Sequence, residues 1–382
     1  MARDPFFDKL QGWSKRKHRL LGKYLLPFIA KAGSRTGIIY CVDGFAGPGK
    51  YADGSSGSPL LIARAADTCA AWSKPRELKI INVESKRAHF KSLSGETEEW
   101  VRRGIVKNKR GEFGDLVPEI MNEVGEIPAI FFIDPYGPSD VHFSYLKPIL
   151  ERKQPITELL INFDLDGLRR MADVLPAQHE DAIVRKACAK TVDNVTSILD
   201  SSRWKEFFTA ARANPADREW VLLSEYMNKL ASYGYEVVAY PIRESLKTAP
   251  KYYLIYCTRH RDGLGLMNCF MREEDDYLIA ESSQAGAQAP LFNALDLAIE
   301  QRRLRLRDLI LEYGRRMKKT TRKAIRQHIV AARFGEFHDK DFGAVVYALA
   351  AEGLLAPASG KKKFNDDELL NFDFKTERAY GS

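Results

Sequence analysis

The stretch that most limits what this chain can become is Ile38 to Gly49, IIYCVDGFAGPG. It opens as an apolar run, Ile38-Ile39-Tyr40-Cys41-Val42, whose length and composition predict a buried strand. The run ends in an acid, Asp43, and passes at once into Gly44, Gly47, Pro48 and Gly49. An acid at the tip of a buried strand, then a glycine-rich turn, is how an open parallel sheet presents a nucleoside ligand. The glycines let the backbone approach the ligand, and the acid stands at the carboxyl end of the strand, where such sheets bind. A glycine-rich turn after a strand also occurs as plain loop, so the reading depends on whether other strands end in the same way.

They do. Leu78 to Val83 predicts a second strand that ends at Glu84, the place where a dinucleotide or nucleoside fold bonds ribose hydroxyls. Ala129 to Ile133 is a continuous apolar run, as expected of a fourth strand covered on both faces. It leads into Asp134-Pro135-Tyr136-Gly137. Pro135 biases Asp134 towards an extended backbone, which projects an acid and an aromatic ring from the rim shared with Asp43 and Glu84. Ile105 to Lys107 is a short third strand. Asp115 follows, and it either caps a helix from Leu116 to Val124 or meets a ligand. Leu159 to Phe163 is the fifth strand, ending near Asp164 and Asp166. Tyr235–Tyr240 and Tyr252–Cys257 are joined by a short connection without a helix, so they are expected as an antiparallel pair at the sheet edge.

Helices fill the intervals. Trp13 to Ala32 carries Leu20, Leu21, Tyr24, Leu25 and Phe28 at helical spacing. Its basic start, Lys15-Arg16-Lys17-His18-Arg19, is either a solvated face or an element beside the glycine turn that meets phosphate or a cofactor carboxylate. Tyr51 to Pro59, YADGSSGSP, is a loop placed to cover a ligand. Ser58 as cap and Pro59 in the first turn open the helix that follows. Leu168 to Met227 is helical and mixed in charge, with aromatics at Trp204, Phe207, Phe208 and Trp220. It reads as an inserted cap or substrate-recognition region. Gly263 to Met271 reads as a helix closing the domain.

A chain of 382 residues suggests two or three domains, and 45% hydrophobic residues supply a sizeable core. No apolar run approaches the length that spans a bilayer, and the N-terminal residues lack the uninterrupted apolar segment of a secretory signal. The five cysteines are odd in number and scattered, which fits reduced cytosolic thiols and gives no metal-ligand spacing. The expected location is the cytoplasm, with no membrane partner and no metal. The net charge of +8 matters through its distribution. After a linker-like SSQAGAQAP at 282–290 comes a strongly basic helical region. It holds Arg302, Arg303, Arg315, Arg316, Lys318, Lys319, Arg322 and Lys323, with a basic turn at Lys361, Lys362 and Lys363. Three short helices and a basic turned tail resemble a winged helix-turn-helix, in which clustered positive charge meets phosphate. A solvated helical bundle serving assembly is the other reading.

The ordered set of strand, Asp43 and GFAGPG, strand and Glu84, Asp115, then strand and Asp134-Pro135-Tyr136-Gly137 resembles a class I S-adenosylmethionine (SAM)-dependent methyltransferase. VDGFAGPG, FFIDPYG, LLINFD and YYLIYCTRH resemble more closely the three-Cys-motif partner family (TcmP), across nearly the whole chain. That family is named for its pairing with a three-cysteine-motif protein that resembles radical-SAM enzymes. A more distant likeness is to ribosomal RNA adenine-N6 methyltransferases. Lys17 and His18 match the Lys-His pair of their first helix, and Asp43-Gly44-Phe45-Ala46-Gly47 matches their first motif.

The resemblance implies that Gly44, Phe45, Gly47 and Gly49 surround the methionine part of SAM, that Glu84 binds the ribose and that Asp115 binds the adenine. Asp43, Lys17 and His18 belong to the same implied cofactor site. Asp134, Pro135 and Tyr136 stand where adenine and cytosine amino-methyltransferases carry Asp/Asn-Pro-Pro-Tyr/Phe. In those enzymes the acid and a backbone carbonyl hold the exocyclic amine, and the ring stacks on the base. Here the second proline is missing and the aromatic ring comes one position early. The expected architecture is α/β: a Rossmann-like class I methyltransferase sheet over 1–281 with a helical insertion at 168–230, a linker at 282–290, and a C-terminal winged helix-turn-helix-like domain over 291–382. Two functions follow from it. One is an enzyme that methylates an exocyclic amine of a nucleic-acid base, DNA or RNA, alongside the three-Cys-motif protein. The other is a non-catalytic scaffold that recruits nucleic acid for that partner.

Overall fold

The structure is a computed structural model that describes residues 11–154, 156–175, 181–211, 214–245, 248–284, 294–363 and 365–373. The chain forms two compact units. The first runs to Glu244 and takes up Thr248–His260; the second begins in the main at Arg261.

The first unit is built on seven strands: β1 (Ile38–Asp43), β2 (Glu77–Glu84), β3 (Val106–Arg110), β4 (Ala129–Ile133), β5 (Thr157–Phe163), β6 (Glu236–Ile242) and β7 (Tyr252–Thr258). They form one sheet in the order β3-β2-β1-β4-β5-β7-β6. The first five are parallel, and β7 runs antiparallel to both β5 and β6. This is the Rossmann-like sheet that the apolar runs led us to expect, with its antiparallel edge pair. β4 and β5 are buried along their whole lengths, which is why β4 reads as an uninterrupted apolar run and β5 carries one at Leu159-Leu160-Ile161 rather than an alternating pattern. The strand order reverses between β1 and β4, and ligands of such sheets bind at that reversal.

Among the described residues ten α-helices accompany this sheet: α1 (Gly12–Thr36), α2 (Ser58–Ala70), α3 (Arg87–Glu96), α4 (Glu98–Arg102), α5 (Phe113–Val124), α6 (Phe143–Leu150), α7 (Leu165–Ala172), α8 (Ala182–Leu199), α9 (Trp204–Ala210) and α10 (Pro215–Ala231). The expected insertion is α7 to α10, but it is no separate cap. Trp204, Phe208, Leu222 and Tyr226 share one apolar core with Val42, Phe131, Ile133 and Ile161. Tyr226 stacks on Phe163 at 4.5 Å and meets Phe143 edge-on. Trp220 and Phe207 stay exposed. Ser58 is the first residue of α2 rather than its cap, a place taken by Gly57.

One polar cluster lies deep in this unit. The Tyr24 hydroxyl of α1 donates to Glu158 Oε2 at 2.6 Å and also lies 2.6 Å from the Tyr256 hydroxyl. Thr258 Oγ1 donates to Glu158 Oε1 at 3.0 Å. Burial raises the Glu158 carboxyl to about 7, although these hydroxyls act to lower it.

The second unit contains α11 (Arg261–Gln284), α12 (Ala294–Met317), α13 (Arg322–Ala332) and α14 (Asp339–Ala351), with β8 (Lys319–Thr321), β9 (Leu355–Pro357) and β10 (Leu369–Phe372). The three strands form a small antiparallel sheet, order β8-β10-β9. Leu306, Ile310, Ile325, Ile329, Phe337, Phe342, Leu349 and Leu370 are among the unit's buried apolar residues. Thr321 caps α13 by accepting from Ala324 N.

The helix after β7 does not close the first domain, as the sequence suggested, but belongs to the second unit. Asn268 of α11 donates to Phe337 O and accepts from Gly335 N, both at 2.7 Å. Ser282 to Gln284 of the expected linker are the last residues of α11; the rest of it lies outside the described residues.

Candidate functional site

Strand register sets the site. Asp43 is opposite Asn82 of β2 and Phe132 of β4, and Ile133 is opposite Ile161 of β5. Glu84, Asp43, Asp134 and Asn162 therefore stand along one rim, at the carboxyl ends of four adjacent strands. A cleft opens there, lined by Lys17 and His18, by the turn from Phe45 to Tyr51, and by Asp134-Pro135-Tyr136, Asn162 and Tyr252.

The glycine turn needs its glycines for different reasons. Gly47 and Gly49 have φ of 65° and 81°, the left-handed region that glycine adopts without strain. Gly44 is a packing requirement: a Cβ there would lie 3.0 Å from the Phe113 ring and 3.1 Å from Ile133. Phe45 rests on Phe113 with centroids 5.6 Å apart. Asp43 is fully buried beneath the turn. Its Oδ1 accepts from Phe45 N at 3.2 Å, and its Oδ2 has no hydrogen-bond partner. Burial raises this carboxyl to about 7, against the pull of the Ser58 hydroxyl and the Phe45 amide, and the nearby Asp134 and Glu84 raise it further.

Glu84 is buried, and its Oε1 accepts from Lys86 N at 2.7 Å. Tyr136 leans across to it. The Tyr136 hydroxyl is 3.5 Å from Glu84 Oε2 and 3.4 Å from His89 Nδ1, with Lys86 Nζ 4.2 Å from its ring centroid. The ring is 42% exposed.

The basic start of α1 proves to be an interior element at three of its five positions. Arg16, Lys17 and His18 are buried, which removes the solvated-face reading for them. Arg16 donates to Arg243 O at 2.6 Å. Lys17 Nζ donates to both oxygens of Asp134, at 2.6 and 2.7 Å, and lies 4.9 Å from the Tyr252 ring centroid. Asn162 Nδ2 gives a further hydrogen bond to Asp134 Oδ1 at 2.8 Å. His18 is held neutral: burial and the adjacent Lys17 lower it to about 4, against the opposing pull of Asp134. His18 Nδ1 and Asn162 Oδ1 are buried without a partner.

Lys17, His18, Phe45, Gly47, Gly49, Asp134, Pro135 and Tyr136 are thus brought to one cleft, with Asp43 and Gly44 beneath its turn and Glu84 touched by Tyr136. Asp115 is not. It lies in the first turn of α5, exposed and outside the cleft lining, and Glu112 rather than Asp115 occupies the N-cap. The rim position of Asn162 could have been read from the end of LLINFD, where a polar residue breaks an apolar run. Tyr252 carried no such signal.

In the second unit the basic residues separate into two groups. Arg302 is 4% exposed and ion-paired with Asp276 of α11, so it is a structural contact and is removed from the expected phosphate-binding set. Arg303 pairs with Asp341, Arg322 with Asp366, and Lys323 lies 3.9 Å from Asp367. Arg315, Arg316, Lys318, Lys319, Lys361, Lys362 and Lys363 are exposed. Arg316 lies 3.3 Å from His328 Nε2 and over the Tyr313 ring.

Comparison with protein-family models and with curated proteins finds no match. Among solved structures, similarity extends to the O-methyltransferase TomG from Streptomyces achromogenes, involved in tomaymycin synthesis and in complex with SAM. Identity is 13%, over 67% of this chain and 92% of that one, with a TM-score of 0.33. An O-methyltransferase from Bacillus cereus in complex with SAH is 14% identical over 68% and 92%, TM-score 0.32. A Podospora anserina methyltransferase with SAH bound is 12% identical over 65% and 85%, TM-score 0.31.

Proposed function

We propose that this chain is a SAM-dependent methyltransferase acting on an exocyclic amine of a nucleic-acid base, alongside the three-Cys-motif protein that the resemblance implies. The observation that carries the proposal is the rim of Glu84, Asp43, Asp134 and Asn162 at the strand-order reversal, around a turn whose glycines take positive φ. Such a turn admits a ligand close to the backbone, and Glu84 offers the carboxylate that a ribose diol needs. The fit extends to the other end of the cofactor. Asp43 lies fully buried beneath the turn, where its carboxylate when ionised favours the positively charged end of a ligand lying over the glycines.

When bound, SAM supplies an electrophilic methyl group and so most of the driving force. The protein's part is placement. Asp134, fixed by Lys17 and Asn162, gives the rim a rigid polar centre. Tyr136, 42% exposed, offers its ring to a base taken out of its stack. His18 stays neutral at physiological pH and keeps Nδ1 available inside the cleft.

The second unit supplies phosphate affinity in this reading. The helices α12, α13 and α14 with the small sheet of β8, β9 and β10 support the winged-helix reading, with the basic turn at Lys361–Lys363 as the wing. Nucleic-acid binding should weaken steeply as salt rises.

One observation favours the scaffold alternative: both Asp134 oxygens are already taken by Lys17. Calorimetry with SAM, followed by methyl transfer to mixed DNA and RNA with the partner present, decides between the two. Glu84→Ala should weaken SAM binding by roughly 1–3 kcal/mol. Binding without transfer would select the scaffold, and no heat at millimolar SAM would remove both the cofactor and the enzyme.

A further inference from the structure

The arrangement around Asp134 reassigns the group that receives the target amine. By resemblance that group is Asp134. In the structure Asp134 Oδ1 accepts from Lys17 Nζ at 2.6 Å and from Asn162 Nδ2 at 2.8 Å, and Oδ2 accepts from Lys17 Nζ at 2.7 Å. Lys17 is 3% exposed. An amine that displaced it from Asp134 would leave a buried ammonium without its counter-ion, which is a large penalty.

Asn162 presents the complementary case. It is 5% exposed, lines the cleft, and has a buried Oδ1 with no hydrogen-bond partner. Its orientation is determined rather than arbitrary. Turned over, the amide would set Oδ1 against the Asp134 carboxylate, acceptor against acceptor. With Nδ2 committed to Asp134, Oδ1 is left as an acceptor without a donor, in a cleft where buried acceptors ordinarily have one.

Its place in the sheet indicates which ligand brings that donor. Glu84 ends β2 and Asn162 lies near the end of β5, three strand spacings away in the order β2-β1-β4-β5, or roughly 14 Å. A cofactor anchored by its ribose at β2 and by its methionine part over the β1 turn spends its length on that side of the rim. The β5 tip is then the substrate side.

We propose that Asn162 Oδ1 is the hydrogen-bond acceptor for the exocyclic amine of the target base, with Lys17 and Asp134 as the positioning pair that holds its amide in register. This rests on the methyltransferase reading above. The chemistry selected is a neutral N–H2 donor on a planar ring, as in adenine or cytosine. A carbonyl-bearing ring at that position would set oxygen against oxygen.

The test uses the full chain with S-adenosylhomocysteine in the cofactor site. Binding of single-stranded oligonucleotides is compared between adenine or cytosine and the corresponding base without its amino group. Wild type should prefer one of the amino-bearing bases by about tenfold or more, and Asn162→Leu should bring that preference near unity while SAM affinity changes less than about threefold. Asn162→Ala removes the acceptor without adding bulk and should lose the preference in the same way; it serves if the leucine variant does not melt as a folded protein. Full preference in Asn162→Leu or in Asn162→Ala, or no preference in a wild type that does bind the cofactor, each overturns the assignment alone. A wild type that binds neither SAM nor its product overturns the methyltransferase reading beneath it.

Discussion

Glu158 is a carboxyl group enclosed by the first unit, and its burial should appear as a pH-dependent loss of stability. Its pKa rises from an ordinary 4.5 to about 7 because burial disfavours the charged form. A folded-state value above the unfolded one means that the folded chain holds the proton where the unfolded chain releases it. The resulting stability is complete below pH 4.5 and is lost as pH climbs towards 7. A shift of this size corresponds to roughly 3 kcal/mol. Glu158→Gln keeps the shape and the hydrogen-bonding capacity towards Tyr24 and Thr258 but cannot ionise. Urea unfolding followed by tryptophan fluorescence is the assay, because all five tryptophans (Trp13, Trp72, Trp100, Trp204 and Trp220) lie in this unit. Asp43 adds a slope of the same sign and His18 one of the opposite sign, but both cancel when variant and wild type are compared at each pH. The variant should gain on wild type by about 3 kcal/mol between pH 4.5 and 7.5. A difference that stays constant over that range would refute the reasoning.

Three further outcomes are expected. Asp43→Asn should stabilise the ligand-free protein above pH 7, where the buried carboxylate is ionised, and weaken SAM binding; thermal melts and calorimetry check the two halves. Lys17→Met strands Asp134 with only the Asn162 amide and should cost about 2–4 kcal/mol in denaturant unfolding. Arg302→Ala should lower the melting temperature without altering the salt dependence of nucleic-acid binding, whereas replacing Lys361, Lys362 and Lys363 by alanine should weaken that binding and leave the melt unchanged.

Much of the first unit was legible because its central strands are covered on both faces. Burial on two sides keeps charge out of the bodies of β1 and β4, so Asp43 and Asp134 mark their carboxyl ends, and Asn162 marks that of β5 where it breaks the run Leu159-Leu160-Ile161. The amino-terminal basic run was not legible in the same way. A cluster of lysine and arginine looks solvated until its partner is known, and the partner of Lys17 is Asp134, 117 residues away. Arg302 misled for the same reason, its partner Asp276 lying on a different helix. α11 was assigned to the wrong unit because its apolar spacing shows that it packs but not against what. The insertion hid its nature likewise: Trp204 and Phe208 look like recognition residues in sequence and turn out to be core.

The antiparallel β7 also matters while the chain is being made. β5, seven buried residues long, pairs on one side with β4 and on the other only with β7. β5 ends at Phe163 and β7 begins at Tyr252, so 88 residues lie between the end of one and the start of the other. At the usual pace of translation that is roughly 5–20 s during which an apolar edge waits for its neighbour. An uncovered edge of this kind readily takes a strand from another chain. Ribosome-bound intermediates in which Thr258 has not yet emerged should therefore be the aggregation-prone ones, and the sheet should first close at chain lengths that bring all of β7 out of the ribosome.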